Sequence, residues 1–335
     1  PCFFSILGKK DSRSELFGTR SVYIDFRIPS KLLDVNRNVL AVDIGATKAA
    51  IAMISSDLEI IVKEVVPTGK SSNIWEKIAE ASINLISRSQ LEIAGVGIAS
   101  AGPIDIGTGE ISPVNIPSWV KFPIVQKYSE LLHTENIVLN GDAIALTHAE
   151  FKIGAGQGAE NLLGMVVSTG IGGGLVLNKK LYTGLSGNAG YFGHHSIAFQ
   201  SNECVCGRIG CVELFASGPQ MVNYAKELGW KGQNQNFETL AESARLGDKF
   251  AIASIERGTE ALSQAIVNVL CILDINLVVV GGGVVQAGDI YWKSLEEKVQ
   301  KLASFSGFIG KVDLRKSNLN QNAGLIGAAL GVLDR

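Results

Sequence analysis

The sequence predicts an α/β protein of two domains, and three observations carry that prediction. Its 335 residues exceed what one ordinary hydrophobic core holds. Two segments, 38–54 and 161–178, each read as an apolar strand, a glycine-bearing turn and a returning strand. Elsewhere short apolar strands alternate with stretches of helical apolar spacing, as in α/β architectures.

Composition excludes several classes. Hydrophobic residues make up 46% and charged residues 19%, which suits a folded chain rather than a disordered one. Thirty basic and thirty-two acidic residues leave a net charge of −2, with no basic run to attract nucleic acid or a membrane surface. The longest apolar stretch, around 265–285, is broken by Asn268, Asp274, Asn276 and three glycines, short of the roughly 20 clean residues of a span. Residues 1–37 show no clear period and no apolar core followed by a small-residue cleavage site. They read as an extension of unknown role rather than a targeting signal.

Along the chain, Asp43-Ile44-Gly45-Ala46-Thr47-Lys48 forms the first turn. Its small residues let backbone N–H groups approach phosphate oxygens, and the aspartate can hold water on magnesium. Asp-x-Gly is also a common hairpin turn. A third strand is expected within 55–67, an amphipathic helix over 73–86 from Ile74, Ile78, Ala81 and Leu85, and a buried strand over 96–101 ending at Gly102-Pro103. The three prolines of 111–123 enforce a loop, in which Asn115 is either a pocket group or part of a connector.

A strand at 137–139 delivers Asn140-Gly141-Asp142 to a helix over 143–151. Taken alone, Asp142 reads as the N-cap of that helix, although α/β enzymes also place chemistry at the carboxyl ends of strands. The second turn, Ser168-Thr169-Gly170-Ile171-Gly172-Gly173-Gly174, offers hydroxyls and unhindered amides to a phosphate chain but lacks a Walker lysine. Its likeness to the first turn hints at two related halves. Helices are expected over 219–228, 238–246 and 248–273. A buried strand over 277–285 opens on Gly281, Gly282 and Gly283, and a small-residue helix over 322–333 closes the chain.

The run 187–218 holds two of the four histidines and three of the five cysteines. His194, Cys204, Cys206 and Cys211 make the ligand set of a closed tetrahedral zinc site. Gly207 and Gly210 permit the positive φ angles of a tight knuckle. Unpaired buried thiols are the alternative. Thiolates kept for a metal, with Cys2 and Cys271 left over, point to a reducing cytoplasm.

With these residues assembled, the chain from about Asn38 onward resembles the ROK family of sugar kinases and related repressors. DIGATK at 43–48, STGIGGG at 168–174, AGYFGH at 189–194 with CVCGRIGCVE at 204–213, and VVVGGG at 278–283 carry the resemblance. It implies an actin-like ATPase (ribonuclease H-like) fold, two α/β lobes around a cleft, with a zinc knuckle in the larger lobe. The small lobe would span 38–145 plus 322–335 and the large lobe 146–321. The implied nucleotide contacts are Asp43, Gly45, Ala46, Thr47, Lys48, Ser168, Thr169, Gly170, Gly172 and Gly281 to Gly283. The implied sugar contacts are Gly102, Asn115, Asp142, Tyr191, His194 and Glu213. Asp142 would be the general base in phosphorylation of a hexose by ATP with magnesium, and the zinc would be structural. Homodimer formation is implied as well.

Two positions depart from the family pattern. Tyr191 stands where a glutamate is usual and Gly141 where an asparagine is usual, both of which hydrogen-bond the sugar in the family. Each lost bond is worth about 0.5–1.5 kcal/mol. The resemblance therefore also admits a kinase for an N-acetylhexosamine such as N-acetylmannosamine, or a catalytically weak sugar-binding or regulatory protein. Polyphosphate is a further possible donor. A DNA-binding repressor ranks low, because 37 irregular residues are too few for a winged helix-turn-helix module.

Overall fold

The computed structural model describes residues 37–45, 47–68 and 73–335. The expected extension, apart from Arg37, lies outside the described residues, and so does Ala46 of the first turn.

Strands β1 (Asn38–Ile44), β2 (Lys48–Ile54) and β3 (Ile60–Pro67) form an antiparallel meander. Helix α1 (Ile74–Ser89) carries the chain to β4 (Ile93–Ser100), which pairs parallel to β1. A small ribbon, β5 (Ile104–Asp105) with β6 (Glu110–Ile111), and helix α2 (Ile124–Leu132) precede β7 (Ile137–Gly141), parallel to β4. The first sheet thus has the order β3-β2-β1-β4-β7. Helix α3 (Asp142–Ile153) follows without a loop.

The second sheet repeats this plan. β8 (Leu162–Val167), β9 (Ile171–Leu177) and β10 (Lys180–Tyr182) form its antiparallel meander. Four helices come next: α4 (Glu213–Ala216), α5 (Gly218–Leu228), α6 (Phe237–Arg245) and α7 (Lys249–Leu273). β11 (Leu277–Gly281) then pairs parallel to β8. After α8 (Gly283–Gln286) and α9 (Asp289–Ser306), β12 (Asp313–Lys316) pairs parallel to β11. The order β10-β9-β8-β11-β12 matches the first sheet strand for strand, in sequence and in sense. Helix α10 (Ala323–Leu333) closes the chain on the first sheet. These are mixed α/β sheets, an arrangement consistent with the actin-like ATPase fold.

Local chemistry explains the elements. α1 buries Ile74, Ile78, Ala81 and Leu85, one stripe of a 3.6-residue period, and ends where Gln90 turns left-handed and returns its N–H to Ile86 at 3.1 Å. α7 begins where the Asp248 carboxylate accepts the N–H groups of Phe250 and Ala251. α10 and α3 are built from small residues so that their backbones can touch. A Cβ at Gly327 would lie 1.8 Å from the Ala145 carbonyl oxygen, and one at Gly97 would lie 2.0 Å from that of Ala328. The first sheet packs its other face on α1 and α2 through Leu40, Val42, Ile51, Ile98 and Tyr128. The second sheet's main core runs through Met165, Val280, Leu262 and Ile266.

Two readings are corrected here. The strand expected over 277–285 ends at Gly281, because Gly282 at φ 101° turns the chain into α8. Asp142 is the first residue of α3 and Gly141 is its N-cap. Elements that the sequence reading did not anticipate are the ribbon strands β5 and β6, α2, β10, α9 and β12. Among the described residues no helix is long and apolar enough to cross a membrane.

Candidate active site

A cavity of about 510 Å³ opens where the carboxyl ends of the parallel strands meet the two hairpin turns. Asp142 stands in its wall at the junction of β7 and α3. Its Oδ1 accepts the N–H of Ala143 at 2.7 Å, and burial raises its proton affinity above the ordinary carboxylate range. Asp43, near the end of β1, faces the same cavity. Burial, then the charge of Asp142, pushes its pKa to about 7 against the pull of Lys63 and Lys48. Two carboxylates and two ammoniums therefore share one electrostatic environment.

On one side lie the phosphate-binding candidates. Gly45, Thr47 and Lys48 from the first turn line the cavity, with Ser168, Thr169, Gly170 and Gly172 from the second and Gly282 and Gly283 from the third. The first turn is closed by Gly45 N–H on the Lys48 carbonyl at 3.0 Å, and the second by Ser168 N–H on the Gly170 carbonyl at 2.9 Å. Gly281 does not reach the wall. It ends β11 beneath it, covered by Leu146 and Ser317. Gly173 also lines the cavity, and both it and Gly174 serve packing. A Cβ at Gly173 would lie 2.3 Å from the Phe192 ring, and one at Gly174 2.6 Å from the Thr147 hydroxyl.

On the other side lie the sugar-binding candidates Gly102, Asn115, Tyr191, His194 and Glu213. The loop bearing Asn115 is pinned by two successive turns and by Trp119 stacked on Phe122, with ring centroids 4.2 Å apart. The Tyr191 phenol crosses to the Gly102 backbone. A Cβ there would fall 1.7 Å from the phenolic oxygen, so a larger residue at 102 would displace the Tyr191 ring. Burial and the Asp142 charge raise the Tyr191 phenol above its ordinary value. Glu213 starts α4 and accepts the Ile171 N–H on Oε2 at 2.7 Å.

Behind this wall the ligating atoms of His194, Cys204, Cys206 and Cys211 lie within 4.8 Å of one another. His194 Nδ1 is 3.5 Å from Cys204 Sγ, and Cys206 and Cys211 are 3.6 Å apart at sulfur. With zinc–sulfur bonds of about 2.3 Å, a tetrahedral ion needs separations of this size, so the residues fit the metal. Gly207 and Gly210 adopt φ of 81° and 73°, and a Cβ at Gly210 would collide with the Ala198 carbonyl at 1.6 Å.

The cavity also contains groups that the sequence reading passed over. Lys63 of β3 faces it, and the alternation along IIVKEVVP places Lys63 and Val65 on one face. Asn320 and Gln321, from the polar run before α10, reach it as well. Asn188 joins the ribbon to the second sheet's connector, accepting the Ile104 N–H at 3.1 Å and donating to its carbonyl at 2.7 Å. No short motif advertised any of these.

An α/β fold with two five-stranded sheets of matching order, glycine-bearing hairpins, a strand-end aspartate and a Cys₃His cluster defines the class, and the comparisons agree. The chain belongs to the ROK family, whose model matches residues 39–335. It is 30% identical over 315 residues to a glucokinase of Thermotoga maritima, covering 89% of this chain and 98% of that protein. It is 34% identical over 297 residues to an N-acetylmannosamine kinase of Haemophilus influenzae, covering 88% and 95%. Among solved structures, it superposes with a TM-score of 0.75 on a ROK family glucokinase from Streptomyces griseus in complex with glucose and AMPPNP. That match has 27% identity and covers 87% of this chain and 98% of the other.

Proposed function

We propose that the protein phosphorylates a hexose, glucose or a close relative, at the expense of ATP. The observation that carries this is that Asp142 lines one cavity with the glycine-bearing turns and with Tyr191, His194 and Glu213. The kinase names of its full-length relatives support it. With Oδ1 held by the Ala143 N–H, Oδ2 is left to take a proton from a sugar hydroxyl. That oxygen then attacks the γ-phosphorus in line, the bond to the β-phosphate oxygen breaks, and ADP departs. A raised proton affinity suits a group that must accept this proton near neutral pH. Magnesium arriving with ATP would neutralise charge on the phosphates, with Asp43 the carboxylate placed to hold its water.

In the finer reading the fold is the actin-like ATPase fold, with lobes spanning 38–145 plus 322–335 and 146–321. His194, Cys204, Cys206 and Cys211 would hold a structural zinc, fixing the His194 ring through Nδ1 and leaving Nε2 for the sugar. Glu213, Asn115 and Tyr191 would contact sugar hydroxyls. A thiolate-rich site fits a cytoplasmic setting, and the family pattern fits a homodimer, which light scattering tests directly.

A second reading, an N-acetylhexosamine as substrate, is favoured by one observation. Gly141 lines the cavity and leaves room for a Cβ without a clash, Ile144 being its nearest contact at 3.7 Å, so the absence of an asparagine there enlarges the cavity. Coupled ADP release across hexoses, N-acetylhexosamines and deoxy-hexoses decides between the two. Turnover of glucose favours the first and turnover of N-acetylmannosamine alone the second. Silence across the panel, with the sugars still binding, makes this a binding protein.

A further inference from the structure

We propose that Lys63, together with Lys48, forms a cationic clamp for the terminal phosphates of a nucleoside triphosphate. Nothing in the family motifs points to Lys63; its placement does.

β2 and β3 pair antiparallel so that Lys48 faces Pro67, Ala50 faces Val65 and Ala52 faces Lys63. Successive side chains of a strand point to opposite faces, so Lys48 and Ala50 share a face with Lys63 and Val65. All four line the cavity. The short side chain of Ala50 leaves space between the two ammoniums. Each lysine presently rests on a neutral amide oxygen just before α10. Lys63 Nζ donates to Asn322 Oδ1 at 2.9 Å and Lys48 Nζ to Gln321 Oε1 at 3.4 Å. These bonds tie the exposed ends of both side chains to the approach to α10, at the cavity that both lysines line.

Two like charges on one cavity wall repel each other, and an anion bearing several charges relieves both. The second and third turns supply backbone amides but no cation, and the second lacks the lysine of a Walker loop. Beside magnesium, the lysine charge available to a triphosphate in this cavity comes from the β2–β3 side. Asn322 and Gln321 act as resting partners that give up the ammoniums when phosphate enters, and exchange of a neutral acceptor for a charged one strengthens each bond.

The ATP assignment rests on the kinase reading, so the experiment separates the two. Calorimetry on wild type, Lys63→Met and Lys63→Arg uses ATP, AMP and inorganic tripolyphosphate at fixed magnesium, alongside sugar turnover. The clamp predicts ATP and tripolyphosphate binding at least tenfold weaker in Lys63→Met, AMP and sugar affinities within twofold of wild type, and recovery in Lys63→Arg. An unchanged ATP affinity in Lys63→Met while wild type turns over sugar would overturn the clamp and leave the kinase standing. Parallel loss of AMP and ATP affinity would also overturn it. Lys63-dependent tripolyphosphate binding without any sugar turnover would support the clamp and sink the kinase reading. A wild type that binds none of the three phosphates refutes both.

Discussion

The Ile171 N–H donates to Glu213 Oε2 at 2.7 Å, joining the second phosphate-type turn to the wall that would hold the sugar. Glu213 is wedged here. A Cβ on either Gly170 or Gly193 would lie about as close to the same oxygen, at 2.8 and 3.0 Å. One oxygen is thus spent on positioning and the other remains for a ligand. Glu213→Gln keeps an acceptor for Ile171 and is expected to raise the sugar KM about tenfold with little change in the ATP KM. Glu213→Ala leaves the Ile171 N–H unpaired, at a cost of about 1–3 kcal/mol, and is expected to raise both. Steady-state kinetics on the two variants separate the roles.

The Cys₃His cluster predicts one zinc per chain by elemental analysis of protein purified without chelator. Without metal, burial and the neighbouring Cys206 and Cys204 push the Cys211 thiol up to about 12. Cys206→Ser is expected to lose the metal and to lower kcat/KM for sugar by about 10- to 100-fold, the scale of losing a group that orients a ligand. A lower melting temperature should accompany it. A fully active, metal-free Cys206→Ser would count against the structural role.

Asp43 sets a pH dependence of stability. Its pKa is raised from the ordinary 3.8 to about 7, chiefly by burial, so the folded, nucleotide-free protein binds this proton more tightly than the unfolded chain. The stability tied to that proton is fully present below about 3.8 and is lost as pH rises toward 7. Asp43→Asn removes the loss. Its melting temperature should exceed that of wild type at pH 8, by a stability difference of up to a few kcal/mol, while activity falls. Equal melting temperatures at pH 8 would show that Asp43 is ionised at little cost. The raised Asp142 works in the same direction on kinetics, moving the acid limb of kcat/KM above the ordinary carboxylate range.

Gly141 offers a test of substrate size. Its φ of −66° and ψ of 146° suit any residue, so a side chain there need not strain the backbone. Gly141→Asn adds a side chain to the cavity wall. It is expected to lower kcat/KM for an N-acetylhexosamine at least tenfold relative to glucose, at an unchanged melting temperature. An unchanged ratio would place the sugar substituent elsewhere.

Much of this architecture was legible because it rests on short-range patterns. The paired hairpins, the 3.6-residue stripe of α1 and the knuckle glycines each announce themselves within about a dozen residues. α2 and α9 escaped because a proline-rich loop hides the start of one and mixed charge blurs the stripe of the other. In the site, the residues that the resemblance names for sugar and nucleotide line one cavity, apart from Gly281 behind the wall and Ala46 outside the described residues. Lys63 and Gln321 were illegible because they reach the cavity by pairing and crossover, β3 against β2 and the approach to α10 against β2. The roles of Gly173 and Gly174 as packing residues needed Phe192 and Thr147 in place.

The central claim is that Asp142 takes the proton during phosphoryl transfer. The most direct test compares single-turnover sugar phosphorylation by wild type and Asp142→Asn, with sugar and ATP affinities measured on both by calorimetry. The account predicts a rate about 10²- to 10⁴-fold lower in Asp142→Asn, with both affinities within a few-fold of wild type. A variant that keeps its rate within tenfold while binding normally would contradict it.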